Sequence, residues 1–266
     1  MLAPILAALW GPGAAGAAAK HTLLAVFAHP DDEITVAPML ARYAAEGHDV
    51  YLVTATSGQA GDANTDIPAG PELGAAREKE VRCSARALGI HEPFLFQLQD
   101  GKMAQPVSIE AMAKRLREVI DRVKPDVIVT FGPEGVSGHP DHRIVGAVAT
   151  EVFQWRERLE WRPKKLYYVV LPASYMPSDP SQAGLSRQSA AVSDEFITTV
   201  VDAEAGLEKT WRAMQCHVTQ WAPVERMRRM FEVRKKVIGG NVYLRLALAS
   251  EGSPAEREGD VFTGLD

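Results

Sequence analysis

The chain has 266 residues, 46% of them hydrophobic, and a formal net charge of −5. That length and apolar content suit one large domain with its own core, or one domain with additions. With no Lys/Arg block and no stacking series of aromatics, the charge balance argues against a nucleic-acid surface. No apolar run reaches the roughly 20 residues of a membrane span.

Residues 1–19 carry no charged side chain: an apolar stretch from Leu2 to Trp10 is broken by Gly11-Pro12-Gly13, and Ala17-Ala18-Ala19 precedes Lys20. The small-x-small end predicts a signal peptide and an exported, periplasmic or extracellular protein, although a positive leading segment is absent. The alternative is a flexible leader, or a mis-set start, on a cytoplasmic chain.

Residues 22–28 form an apolar, partly β-branched run that predicts a buried parallel strand. It ends in His29-Pro30-Asp31-Asp32-Glu33. A helix over 34–47 stopped by Gly47, a strand over 49–56 and a long Gly/Asp/Pro loop to 71 follow. A loop of that length starting at a strand end predicts a wall of a functional site. A helix over 72–88, a strand over 94–98, a turn at Asp100-Gly101 and a helix over 108–123 come next. The strand 126–131 then leads through Gly132 to Gly138 into His139-Pro140-Asp141-His142. A helix over 141–159 and a strand over 165–171 complete a βαβα alternation. The expected fold is therefore α/β and Rossmann-like, a doubly wound, mostly parallel sheet with helices on both faces. Residues 172–193, rich in Pro, Ser, Gly and Gln, read as a surface excursion or lid. A strand over 196–201, helices over 203–217 and 227–238 and a strand over 242–248 bring the domain to 249, and 250–266 reads as a frayed tail.

Two strand ends thus each deliver a His/Asp cluster. Imidazoles and carboxylates packed together are costly to desolvate unless a cation holds them. Cys83 and Cys216 both fall in helical patterns and read as buried free thiols, with a disulfide as the alternative if the chain is exported. No dinucleotide-type or P-loop glycine pattern occurs.

The strand ending Ala28-His29-Pro30-Asp31-Asp32-Glu33, paired with Gly138-His139-Pro140-Asp141-His142, resembles the zinc-dependent N-deacetylases of the PIG-L (LmbE-like) family. Arg77-Glu78-Lys79-Glu80, Asp100-Gly101 and Cys216-His217-Val218-Thr219-Gln220 extend the resemblance. It implies a metal-dependent hydrolase acting on a small N-acylated sugar or glycoconjugate, with acetyl removed from an N-acetylglucosamine-type substrate. It makes His29, Asp32 and His142 the ligands of Zn²⁺, a His₂Asp set that Fe²⁺ or another divalent ion also fits. Asp31 would be the general base, and His139, as an imidazolium backed by Asp141, would stabilise the oxyanion. Arg77 would contact substrate, or else form a surface ion pair with Glu78 or Glu80. Glu33 reads as a first-turn helix acid, or as an acceptor for a ligand histidine. His217 reads as a satisfied helix histidine, or as part of the pocket, and Trp211 and Trp221 as core. Some family members carry a tyrosine two residues before the counterpart of His139, where this chain has Ser137. The rival readings are an amidase for a larger acyl or a non-sugar amide, and a non-catalytic metal- or glycan-binding member of the fold.

Overall fold

The computed structural model describes residues 19–155, 157–175, 191–221, 223–250 and 256–265. The expected leader falls outside these residues except for Ala19, as does most of the expected excursion at 172–193. No helix among the described residues is long and apolar enough to cross a membrane.

The first half alternates strand and helix as β1 (Thr22–Phe27), α1 (Ala37–Glu46), β2 (Asp49–Thr56), α2 (Pro71–Leu88), β3 (Phe94–Leu98), α3 (Pro106–Val123) and β4 (Val127–Phe131). Next come a short turn of helix, α4 (Gly135–Gly138), then α5 (Pro140–Gln154) and β5 (Lys165–Val169). The remainder adds β6 (Thr199–Val201), α6 (Leu207–Met214), α7 (Val218–Trp221), α8 (Val224–Ile238) and β7 (Val242–Ala249). Helices α1, α2, α3 and α5 each start with a proline in the first turn, where its missing N–H has no intrahelical partner to lose. For this reason the helix expected from residue 34 begins at Ala37, behind a single 3₁₀ turn at Asp32–Thr35.

One seven-stranded sheet runs in the order β3-β2-β1-β4-β5-β7-β6. Strands β1 to β5 pair in parallel, and β7 runs antiparallel to both β5 and β6. Strands β1 and β4 are buried nearly throughout, as their unbroken apolar runs require when both sheet faces are covered. From β1 the chain moves outward through α1 and α2 to β2 and β3, and then returns through α3 and α5 to β4 and β5. Right-handed crossovers in opposite directions put these two helix pairs on opposite faces. Helix α6 joins the α1/α2 layer. The strand order reverses between β1 and β4, which makes a crevice at their carboxyl ends. On α5, a Cβ at Gly146 would run into the Phe131 carbonyl, so glycine lets that helix press directly on β4 and aim its first turn at the crevice.

Residues 256–265 correct the expectation of a frayed tail. Val261 is fully buried and Phe262 nearly so. Glu258 accepts from Lys165 Nζ at 2.6 Å and from Tyr167 Oη at 2.5 Å. The polar composition of 250–266 concealed an anchor whose charge is paired with a strand lysine. The cysteines are also corrected: Cys83 and Cys216 form a disulfide with Cα atoms 5.7 Å apart. The fold brings α2 and the turn after α6 together across a separation of 133 residues, which no local pattern could indicate.

Candidate active site

Both sequence clusters lie at the crevice between the ends of β1 and β4. Asp32 turns back on the end of β1, where its Oδ2 accepts from the backbone N–H groups of Ala28 (3.1 Å) and His29 (2.7 Å). This leaves Oδ1 facing outward, 3.1 Å from His142 Nε2. His29 Nδ1 lies 3.2 Å from His142 Nε2 and 3.4 Å from Asp32 Oδ2. The two imidazole nitrogens therefore face each other, and Asp32 lies across both, with Oδ1 toward His142 and Oδ2 toward His29. Ligand atoms about 2.0–2.1 Å from a tetrahedral zinc would lie ~3.3 Å from one another, so this donor set fits a divalent ion.

Each imidazole is oriented from behind. His142 Nδ1 lies 3.0 Å from the Gly135 carbonyl oxygen, which fixes Nδ1 as the donor and leaves the Nε2 lone pair free. Its ring stacks on Phe131 at 4.1 Å. His29 Nε2 lies 3.1 Å from Asp100 Oδ1, off the line of a good hydrogen bond, and 3.6 Å from Asp141 Oδ2. A carboxylate behind a ligand histidine holds the ring and raises its basicity. Among the described residues two overlapping groups of potential ligands occur, His29/His139/His142 and His29/Asp100/Asp141, and neither includes Asp32. The second uses the carboxylates on the Nε2 side of His29, which face inward and are engaged by backbone amides. Asp100 was seen in the sequence only as part of a turn. Nothing local to it indicates that its side chain reaches His29.

The charges follow from this packing. Burial works against the His29 imidazolium, but Asp100, Asp141 and Asp32 outweigh it and hold its pKa well above the ordinary value. Burial alone would raise Asp32, but His142 and His29 bring it well below the usual carboxylate range. Such a set takes a cation readily, since a metal replaces the protons that now reconcile the charges.

Asp31 stands beside this point with φ 108° and ψ −18°, a backbone conformation that a non-glycine residue keeps only when its surroundings impose it. Three contacts impose it. Its N–H donates to Glu33 Oε2 at 3.0 Å, its Oδ1 accepts from Arg77 Nη2 at 3.3 Å, and the same nitrogen donates to the Pro30 carbonyl at 2.6 Å. Burial, reinforced by the Asp32 charge, pushes the Asp31 carboxyl up to about 6, against the pull of Arg77.

Several expected roles are corrected here. Arg77 is only 3% exposed and spans the carbonyls of Gly58 (2.7 Å) and Pro30. It is neither a surface ion pair nor open to substrate. It braces the loop that carries Asp31. Glu33 is fully buried, where its Oε1 accepts from Ser84 Oγ and from His217 Nε2, both at 2.6 Å. It does stand in the first turn of the 3₁₀ segment, as expected, but buried, and it is not an acceptor for a ligand histidine. His217, also fully buried, is its partner. Asp141 does not back His139. Its carboxylate accepts from the amides of Gly101 (2.7 Å) and Met103 (3.3 Å), while its own N–H donates to His139 Nδ1 at 3.2 Å. The usual helix start explains this: His139 is the N-cap of α5 and accepts from the first turn. Burial and then the neighbouring His29 and His142 lower the His139 pKa, which disfavours the expected imidazolium. With Nδ1 accepting, a neutral His139 carries its proton on Nε2. Ser137 Oγ lies 3.2 Å from His142 Nδ1.

The long loop after β2 meets the site at its start, where Gly58 holds Arg77 and the Ala60 N–H donates to Asp100 Oδ2 at 2.9 Å. Asp31, Asp32 and His142 open on a cavity of about 860 Å³, whose other walls include Phe131, Trp221 and the side of α8 bearing Met230, Val233 and Val237. Trp221 thus borders the cavity, while Trp211 packs on Phe231.

Residues 24–153 match the family profile PIG-L, described as GlcNAc-PI de-N-acetylase. Two relatives are named 1D-myo-inositol 2-acetamido-2-deoxy-alpha-D-glucopyranoside deacetylase. That of Rhodococcus jostii is 31% identical over 76% of this chain and 82% of its own length, and that of Rhodococcus opacus is 33% identical over the same shares. Among solved structures, N,N'-diacetylchitobiose deacetylase from Pyrococcus horikoshii superposes with TM-score 0.61 at 20% identity, covering 85% of this chain and 83% of that one. A 4-carboxy-2-hydroxymuconate hydratase from Pseudomonas putida superposes with TM-score 0.62 at 18% identity, covering 88% and 99%. At these identities the two structures share the fold, and a deacetylase and a hydratase on it mean that it hosts more than one reaction.

Proposed function

Since the chain belongs to the PIG-L family of GlcNAc-PI de-N-acetylases, we propose that it hydrolyses the acetamide of an N-acetylglucosamine-type substrate to acetate and the free amine. His29, Asp32 and His142 would hold a divalent ion. The observation that carries this reading is the approach of His29 Nδ1 to His142 Nε2 at 3.2 Å, with the Asp32 carboxylate directed at both rings. When bound there, the ion polarises a carbonyl and makes water acidic.

The chain's own residues supply the rest. Asp31 takes a proton from the attacking water and returns it to the leaving nitrogen, for which a carboxyl near 6 is well matched. His139 offers its Nε2–H to the carbonyl oxygen as charge develops there. Asp100 and Asp141 hold the His29 ring, and Arg77 and Glu33 hold Asp31. Zinc suits the small His₂Asp set, and iron(II) competes for the same donors. The Cys83–Cys216 disulfide supports work in an oxidising compartment. A second reading, a substrate with a larger acyl or an apolar aglycone, is favoured by the apolar wall of Met230, Val233 and Val237.

Amine release from a panel of N-acyl glucosamines, with elemental analysis of the protein, tests the proposal. Chelator-sensitive release from N-acetyl substrates, and loss of bound metal in His142→Ala, are expected. A chain that releases no amine from any member while loaded with metal would overturn it.

A further inference from the structure

Cys83 lies in α2 and Cys216 just beyond α6. The residue after each cysteine points the other way, into the core, and meets the same carboxylate. Ser84 and His217 both donate to Glu33 Oε1 at 2.6 Å. One turn before Cys83, Glu80 accepts from the backbone N–H of Thr219 (2.9 Å) and from its hydroxyl (2.7 Å). The disulfide therefore sits on the seam between two segments whose buried contacts close on Glu33. The other oxygen of Glu33 holds the Asp31 N–H at 3.0 Å, at the one residue of the cluster with a left-handed backbone. Ser84 and His217 have no exposed surface, whereas both cysteines are partly exposed. A reductant can reach the sulfurs without entering the site.

We propose that the disulfide is a redox-sensitive clamp on Asp31, acting through the positioning residues Glu33 and His217. This rests on the reading of Asp31 as general base. In the oxidised chain, α2 and the turn after α6 are held in register, Glu33 keeps both donors, and Asp31 keeps its strained orientation. Reduction takes two electrons from a dithiol or a phosphine. The S–S bond breaks and two thiols form, their protons coming from the dithiol or from water. The dithiol closes to its own disulfide, or the phosphine becomes its oxide with oxygen from water. The seam then loosens, while the ligands His29, Asp32 and His142 remain held by β1, β4 and α5.

The test uses the metal-loaded full chain, an N-acetylglucosaminide and a phosphine reductant, which leaves no added thiolate to compete for metal. On reduction kcat should fall by roughly 10-fold, below the full 10²–10⁴-fold worth of a general base, with KM and metal content unchanged, and reoxidation should restore it. The Cys83→Ser/Cys216→Ser variant should start at the lowered kcat and ignore the reductant. His217→Ala should also lower kcat, and His217→Gln should recover part of it, because an amide N–H can still donate to Glu33. A kcat within twofold of the oxidised value, in both the reduced wild type and the double variant, would overturn the clamp. So would reduction that abolishes the near-ultraviolet circular dichroism, since the bond would then be holding the fold. Should the double variant fail to fold, the reduced wild type decides. The parent reading fails separately, if Asp31→Asn retains full activity.

Discussion

Arg77 donates to the carbonyl oxygen of Pro30 at 2.6 Å, and the same nitrogen reaches the carboxylate of the next residue, Asp31. A guanidinium bridges the Pro30 and Gly58 carbonyls because its donors are rigid and planar, and a lysine ammonium cannot span both. Arg77→Lys should therefore lower kcat by roughly 10-fold and stability by about 1–3 kcal/mol, the cost of leaving buried partners unsatisfied. KM should hold, because the side chain is closed off from the cavity. Steady-state kinetics and chemical denaturation decide between this and a substrate contact, which would show as a raised KM.

Asp31→Asn should lose about 10²–10⁴-fold in rate while retaining metal. It should also make the metal-free chain more stable. The folded-state carboxyl is raised to about 6, above its unfolded value of ~3.9. Its ionised form at neutral pH therefore works against folding, and that penalty disappears below the unfolded pKa. Since a fifth of the side chain remains exposed, the gain at pH 7 should be about 1–2 kcal/mol. Denaturation of both proteins at pH 7 and at pH 3.5 is the check: the difference should be present at the first and nearly gone at the second.

The acidic limb of kcat/KM should belong to an assembly containing Asp31, because only its ionised form can take a proton. His139 should not set a basic limb: its pKa is lowered by burial and by the histidines beside it, and the expected behaviour is that of a neutral donor. His139→Ala should cost roughly 10²–10³-fold in kcat and leave the shape of the pH profile unchanged above neutrality. A basic limb that vanishes in this variant would instead identify an imidazolium.

Glu258→Ala should destabilise the chain by about 3–5 kcal/mol, as expected when one partner of a buried ion pair is removed. It would strand Lys165 and deprive Tyr167 of its acceptor. The pair lies against the far ends of β5 and β6, so metal content and KM in the surviving folded protein should match wild type. Thermal melts and elemental analysis are sufficient.

Local chemistry in the sequence determined the frame of this protein. Unbroken apolar runs at β1 and β4 require burial on both faces, prolines and glycines mark where helices can begin and end, and a His/Asp cluster follows each central strand. Those features set a doubly wound sheet and a candidate metal site at its switch point, and the structure puts His29, Asp32 and His142 there. The tertiary structure alone decided what surrounds them. Asp100 reaches His29 from the end of β3, Arg77 reaches Asp31 from α2, and His217 reaches Glu33 from 184 residues away. Asp141, adjacent in sequence to His142 and close to His139, turns instead to the amides at 101 and 103. Cys83 finds Cys216, and Glu258 finds Lys165. The physical reason is common to all of these. Periodicity reports which face of an element is apolar, whereas the partner of a buried polar side chain is chosen by whichever segment the packed core brings within about 3 Å of it.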